Sequence, residues 1–390
     1  MTIDMTQSPF LSTPHVERLL DLPALLRKKS HLLLGPRQTG KSYLLRHALK
    51  GVKVYNLLES ATYLALSQQP GRLAQELTSR DRLVVIDEIQ RLPELLNDVH
   101  LLIEERGLRF LLTGSSARKL RRSGVNLLGG RARTIHLHPF TARELGARFD
   151  LARAVERGLL PPIYFSDEPQ ADLRAYAGAY LEEIVAEGAA RNVPAFSRFL
   201  KVAALCHGTI VNFTNVANDA QVARTTVYEY FEIMKDTLIL QELPAWRKSR
   251  KRKPLSSSKY YFFDVGVAAS LQERAFRRGT PEFGQGFESW LHQELVAYRE
   301  YVSGEPMSYW RSTSGFEVDF LLGDHTAIEV KAKEHVSPND LKSLVALAEE
   351  RRLKRYLCVT LEARPRTVGR VSLLPWREFL DALWGGAYTS

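Results

Sequence analysis

Gly35-Pro36-Arg37-Gln38-Thr39-Gly40-Lys41-Ser42 has the residue types and spacing needed to grip a phosphate chain, and it sits between an apolar run and a helical pattern. Glycines let the backbone curl there until successive N–H groups face a β-phosphate, at the positive end of the next helix. Lys41 is then expected to reach the β- and γ-phosphates, and the Ser42 hydroxyl to hold Mg²⁺. Forty-six residues after Lys41, the apolar run Leu83-Val84-Val85-Ile86 ends in Asp87-Glu88. Asp87 is placed to bind the metal through water, and Glu88 to polarise the attacking water. No guanine-reading motif is well placed, so ATP is the expected nucleotide.

A second group of charged residues lies in 316–332. Alternation puts Phe316, Val318, Phe320 and Leu322 on one face of a strand, with Glu317 and Asp319 on the other. Ile328, Val330 and Ala332 share a face of the next strand, opposed by Glu329 and Lys331. A turn centred on Asp324 sets Asp319 opposite Glu329 and Glu317 opposite Lys331. Directly opposed carboxylates stand about 5 Å apart at Cβ and repel without a counter-ion. Beside a lysine they could seat a hard divalent cation, which is the layout of the PD-(D/E)xK nucleases. Glu288, on the preceding helix, resembles the further acid that those enzymes supply. In such a site the metal would activate water and Lys331 would stabilise developing charge. The alternative is a cross-strand ion pair on a solvated face.

These groups need elements to position them. Short apolar strands at 31–34, 52–57, 83–86, 109–112 and 134–137 alternate with helical patterns such as 41–49 and 92–106, which predicts a mostly parallel sheet. From 141 to 245 the pattern turns helical. Segments 213–219 and 223–235 form two helices around a turn at Gln221, and strand-like 238–243 follows, which is the order of a winged helix-turn-helix. Arg224, Thr225, Thr226 and Tyr228 open the second helix and are candidates for DNA contact. Arg247, Lys248, Arg250, Lys251, Arg252 and Lys253, six basic residues in seven, would then lie on a hairpin wing along phosphates. The remainder reads as a small α/β domain with a helix at 286–301, strands at 307–310, 316–322, 326–332 and 356–360, and a helix at 338–351. Ser337, Pro338 and Asp340 mark the start of that last helix.

Composition narrows the function. Hydrophobic residues at 45% and charged residues at 25% describe a globular chain rather than a disordered one. No apolar run reaches the roughly 20 residues of a membrane span, and 1–12 lacks the regions of a secretory signal. Two cysteines, Cys206 and Cys358, exclude a disulfide scaffold and fit a reducing cytoplasm. A net charge of +10 points to a polyanion, nucleic acid first.

The P-loop, Ile86-Asp87-Glu88-Ile89-Gln90, Thr113-Gly114-Ser115-Ser116, Leu128-Gly129-Gly130-Arg131 and His138-Pro139-Phe140 together resemble a family of prokaryotic AAA-type ATPases with a C-terminal domain of unassigned function. Lys259 to Gly266, Glu317 to Phe320 and Ile328 to Lys331 extend the resemblance over nearly the whole chain. It implies an α/β fold in which an AAA+ core (1–142) and a helical lid or linker (143–192) precede a winged helix (193–265) and a restriction-endonuclease-like domain (266–390). It implies that Thr113 or Ser115 touches the γ-phosphate or the attacking water. It also implies that Arg131 or Arg133 reaches a neighbouring subunit's nucleotide in a homo-oligomeric ring, a hexamer being one such ring. The expected activity is ATP hydrolysis coupled to remodelling of branched or single-stranded DNA, or to movement along it. An ATP-gated nuclease and a nucleotide-controlled scaffold for protein partners are the alternatives.

Overall fold

A computed structural model of the chain describes residues 14–69, 71–118, 120, 128–186 and 192–389. They form two compact units. One holds the described residues up to Phe140 together with Leu160–Pro162 and Glu232–Ile239, and the other holds Thr141–Leu159, Ile163–Phe231 and the chain from Leu240 onward.

In the first unit, β1 (Ser30–Leu34), β2 (Lys53–Asn56), β3 (Leu83–Asp87), β4 (Arg109–Gly114) and β5 (Ala132–His136) make one sheet in the order β2-β3-β4-β1-β5. Every pairing is parallel. Crossovers cover both faces of such a sheet, so its inner strands are apolar without alternation. Leu32, Leu34, Val84, Ile86, Phe110 and Leu112 accordingly share one core with Leu96, Val99 and Leu102 of helix Leu95–Arg106. Parallelism also brings the C-terminal ends of β1, β3 and β4 to a single edge, with β4 between the other two. Open α/β sheets place their ligands at such an edge.

The second unit starts with helix Ala142–Leu145, whose Thr141 and Glu144 form a capping box. Helix Pro169–Ala186 stands where 172–190 is expected, and residues 187–190 lie outside the described ones. Helices Val193–Leu205 and Phe213–Ala220 follow, then helix Arg224–Asp236, which belongs to this unit as far as Phe231. Gln221 makes the turn between the last two in the left-handed region, with φ 55°. Phe213 stacks on Tyr228 with 4.2 Å between centroids and meets Phe231 edge-on, tying this pair of helices together. Next, β6 (Leu240–Leu243) pairs antiparallel with β7 (Lys259–Phe262).

The connection between β6 and β7 is not a free-standing wing. Trp246 donates its N–H to the Tyr309 carbonyl at 2.6 Å, Tyr309 donates to Pro244 at 3.0 Å, and Leu255 donates to Arg311 at 2.8 Å. The connection therefore runs along β8 (Met307–Arg311), and Trp246 is buried with its indole N–H on Asp324 at 2.9 Å. β8 is the edge of a second sheet with β9 (Glu317–Leu322), β10 (Thr326–Lys331), β11 (Arg355–Thr360), β12 (Arg366–Val368) and β13 (Val371–Pro375), in the order β12-β13-β11-β10-β9-β8. β12, β13 and the helix Trp376–Trp384 have no counterpart among the expected elements. The β9–β10 hairpin turns as expected about Asp324, pairing Leu322 with Thr326, Leu321 with Ala327 and Phe320 with Ile328. Its ladder ends there, short of Asp319 and Glu329. Asp319 and Glu329 are buried with the apolar residues, while Glu317 and Lys331 are half-buried and Glu317 makes its cross-strand ion pair with Arg311 of β8 rather than with Lys331.

Candidate functional site

The P-loop leaves the end of β1 and enters helix Lys41–Ala48 through Gly40, whose φ is 95°. At Gly35 a Cβ would stand 2.5 Å from the Leu137 carbonyl oxygen, so only glycine fits against that backbone. The Lys41 ammonium is buried inside the loop and donates to the carbonyls of Gly35 at 2.6 Å and Pro36 at 3.0 Å. Thr39 closes the loop by donating its hydroxyl to Pro36 at 2.9 Å. Arg37 is exposed, and Gln38 lies in the left-handed region with φ 62°.

Asp87, at the end of β3, stands across from this loop. Its Oδ2 accepts the Ser42 hydroxyl at 2.9 Å, and its Oδ1 accepts the Thr113 hydroxyl from β4. A hydroxyl and a carboxylate converging at the end of a phosphate loop are hard oxygen donors of the kind Mg²⁺ takes, so Ser42 and Asp87 fit that ion. Glu88 follows in the left-handed conformation, φ 63°, and its backbone N–H donates to Thr113 Oγ1 at 3.2 Å. Burial pushes the Glu88 carboxyl above its usual range, with the Lys41 charge working against the rise. The Gln90 amide donates to Glu88 Oε2 and, at 3.1 Å, to the Ser115 hydroxyl. Thr113 thus bonds the Asp87 carboxylate and the Glu88 backbone, and Ser115 meets Gln90, which holds the Glu88 carboxylate.

Two residues at this edge escaped the sequence reading. Gln90 is buried and fixes the Glu88 carboxylate; its place in Asp-Glu-Ile-Gln was a visible signal without an assigned role. Arg18 binds the Thr39 carbonyl at 2.8 Å and the His138 carbonyl at 2.5 Å, joining the P-loop to the segment after β5. Nothing in the sequence near Arg18 announces that. Arg131 and Arg133 do not approach this chain's phosphate loop. Ala132 pairs with Ser30 and Arg133 with His31 at the start of β1, so Arg131 lies at the opposite edge of the sheet. Four residue steps of about 3.3 Å separate Ser30 from Leu34, or roughly 13 Å. Arg131 is instead ion-paired with Glu104.

In the second unit, Glu288, Glu317, Asp319, Glu329 and Lys331 do come together, in other pairings than expected. Glu317 binds Lys259 at 2.5 Å and Arg311 at 3.0 Å rather than Lys331. Lys331 binds Glu329 at 2.5 Å. Asp319 accepts the Val330 N–H at 2.8 Å, and Glu288 accepts the Tyr261 hydroxyl at 2.6 Å. Burial, with the Asp319 charge second, raises the Glu288 carboxyl to about 7. Among the described residues no group of three or more His, Cys, Asp or Glu is disposed to hold a metal ion. The expected metal seat at Glu288, Asp319 and Glu329 therefore does not fit: Lys259, absent from the sequence-derived set, lies among the carboxylates.

The basic run keeps four of its six cations in solvent without an ion pair among the described residues. Lys248 pairs with Asp324 and Arg252 with Glu349, while Arg247, Arg250, Lys251 and Lys253 are exposed and have no acidic partner. The loop beneath them is gathered by one acid. Glu350 accepts the Ser249 hydroxyl at 2.9 Å and the N–H groups of Arg250 at 2.8 Å, Lys251 at 3.0 Å and Arg252 at 3.2 Å. Burial would raise the Glu350 carboxyl, but these donors hold it below its usual value. On the helix-turn-helix, Arg224, Thr225 and Tyr228 are exposed and Thr226 half-buried, with Arg224 over the Tyr228 ring at 5.6 Å.

Residues 27–146 match the family model of an AAA domain. Residues 148–277 and 283–379 match two domains of unknown function, DUF8612 and DUF4143. An uncharacterised protein of Mycobacterium tuberculosis and one of Mycobacterium bovis are each 29% identical over 329 residues, which is 80% of this chain and 73% of theirs. Among solved structures, the Aeropyrum pernix ORC1 protein in complex with DNA aligns with 68% of this chain and 94% of its own at 15% identity, with a TM-score of 0.30. A likeness that slight says nothing about shared function. The parallel sheet, the phosphate loop and the AAA match define an AAA-type P-loop ATPase domain in the first unit. No described helix is long and apolar enough to cross a membrane.

Proposed function

We propose that the chain hydrolyses ATP and uses the cycle to hold and remodel DNA, branched or single-stranded, or to move along it. In this reading the P-loop amides and Lys41 take the triphosphate, the ammonium leaving the Gly35 and Pro36 carbonyls for phosphate oxygens. Mg²⁺, held by Ser42 and Asp87, would offset the negative charge of the phosphates. Glu88 orients and deprotonates the attacking water, and Gln90 holds its carboxylate. Thr113 keeps Asp87 and Glu88 in register. The proposal includes a ring in which Arg131 leaves Glu104 for a neighbour's nucleotide, a step that sedimentation with and without ATP would test.

One observation carries the DNA half: Arg247, Arg250, Lys251 and Lys253 project from a loop whose backbone is already gathered on Glu350. Cations on a preformed loop lose less entropy on binding phosphates than cations on a floppy one. Four such contacts would make affinity fall by roughly 3–4 log units per decade of salt. The test is ATPase rate across single-stranded, duplex and four-way-junction DNA, with Lys41→Ala as the inactive control. Stimulation by at least one DNA form, weakened in an Arg250→Ala/Lys251→Ala/Lys253→Ala variant, is expected. Turnover indifferent to all three, with no binding at low salt, refutes the DNA half and leaves the ATPase standing.

A further inference from the structure

Six charged side chains meet beside the second sheet, with Lys259, Asp319 and Glu329 buried and Glu288, Glu317 and Lys331 half-buried. Asp319 and Glu317 lie near enough to raise the proton affinity of Glu288, Asp319 and Glu288 do the same to Glu329, and Lys259 and Lys331 lie among these acids. Acids at such positions ordinarily suggest a divalent metal, and the hairpin's acid-x-lysine pattern strengthens that expectation. The geometry decides otherwise.

Lys259 comes from β7, outside the hairpin and its sequence pattern, and its side chain is 2% exposed. Its Nζ is 2.5 Å from Glu317 Oε1 and 3.9 Å from Glu288 Oε1, and it lies 5.3 Å from the centre of the Tyr309 ring. Burial alone would lower the pKa of this ammonium, yet Glu288, Asp319 and Glu317 raise it above the usual lysine value. These three carboxylates favour its charged form. Its backbone is held as well, by pairing with Leu243 across β6 and by a bridge to Ile210. Each acid already has a donor: Lys259 and Arg311 for Glu317, the Tyr261 hydroxyl for Glu288, the Val330 N–H for Asp319, and Lys331 for Glu329. A divalent ion entering here would meet a fixed positive charge that has no route to solvent.

We infer that Lys259 is the resident cation of this site, that it excludes divalent metal, and that these acids therefore do not cleave phosphodiesters by a metal-dependent route. This does not rest on the DNA-binding reading. Removing the ammonium while keeping the acids should turn the cluster into a metal site. One carboxylate oxygen, Glu329 Oε2, is buried and lacks a hydrogen-bond partner, so it could serve as a ligand once Lys259 is gone.

The experiment titrates Mn²⁺ into the full-length chain carrying Asp87→Asn, which disables the phosphate-loop metal position, and follows free Mn²⁺ by electron paramagnetic resonance. With Lys259 present, no binding sensitive to Asp319→Asn is expected. Adding Lys259→Met should create one Mn²⁺ site at least tenfold tighter, and Asp319→Asn should abolish it. Asp319-dependent Mn²⁺ binding in the chain that retains Lys259 overturns the inference. So does a folded Lys259→Met chain, judged by its circular dichroism and melting, that gains no site. Should Lys259→Met fail to fold, Lys259→Gln replaces it, and the arm that retains Lys259 decides the matter alone.

Discussion

Replacing Thr113 by valine isolates what one hydroxyl does at the edge of the ATPase sheet. Valine keeps the β-branched shape, so no cavity opens in a residue with 0% exposure. Two bonds disappear: the one donated to Asp87 Oδ1, and the one accepted from the Glu88 N–H at 3.2 Å. A hydrogen bond to an ionised group contributes about 1.5–3 kcal/mol, and an orphaned buried N–H costs about 1–3 kcal/mol. Local relaxation recovers part of this, leaving about 2–4 kcal/mol that had held both acids in place. If that positioning matters in the transition state, turnover falls about 30- to 1,000-fold, at tenfold per 1.4 kcal/mol. ATP affinity should change little, because Lys41 and the loop amides are untouched. Steady-state phosphate release, equilibrium binding of a fluorescent ATP analogue and thermal melting separate these effects. Turnover within about threefold of the parent refutes the reasoning, and a drop in melting temperature with normal turnover would make Thr113 purely architectural.

Gly35→Ala should weaken ATP binding at least tenfold, because its Cβ would press on the Leu137 carbonyl at 2.5 Å and the loop must shift; unchanged affinity counts against the close approach. Glu294 offers a pH prediction. It is buried, accepts the Ala142 N–H at 2.6 Å and the Trp384 indole N–H at 3.3 Å, and burial raises its carboxyl to about 8. A raised acid binds a proton more readily when folded than when unfolded, so its stabilising effect is complete below the unfolded value near 4.5 and is lost as pH rises through about 8. Between those values the parent's stability should decline relative to Glu294→Gln by up to about 1.4 kcal/mol per pH unit, read from urea unfolding at several pH values. Parallel stability curves for the two chains would show that folding leaves the proton affinity of Glu294 unchanged, against this prediction.

Local chemistry was readable without coordinates. The phosphate loop is eight consecutive residues whose geometry follows from glycine freedom and the helix that begins beneath them, so sequence order already implies spatial order. Turn chemistry likewise set the register of the β9–β10 hairpin about Asp324, and Ser337 with Asp340 forms the capping box that their spacing announced. The inner strands β1, β3 and β4 declared themselves by apolar runs, because both of their faces are covered.

Pairings over long separations were decided only by the tertiary structure. Lys259 meets Glu317 from 58 residues away, Glu350 gathers N–H groups about 100 residues back, and Gln90 meets Ser115 across 25. Alternation along a strand says which side chains share a face, but not which charge from another element will be buried against them. That missing partner, Lys259, stands among the acids that the strand pattern alone reads as a metal seat. Electrostatic identity depends on the nearest opposite charge in space, and chain order does not supply it.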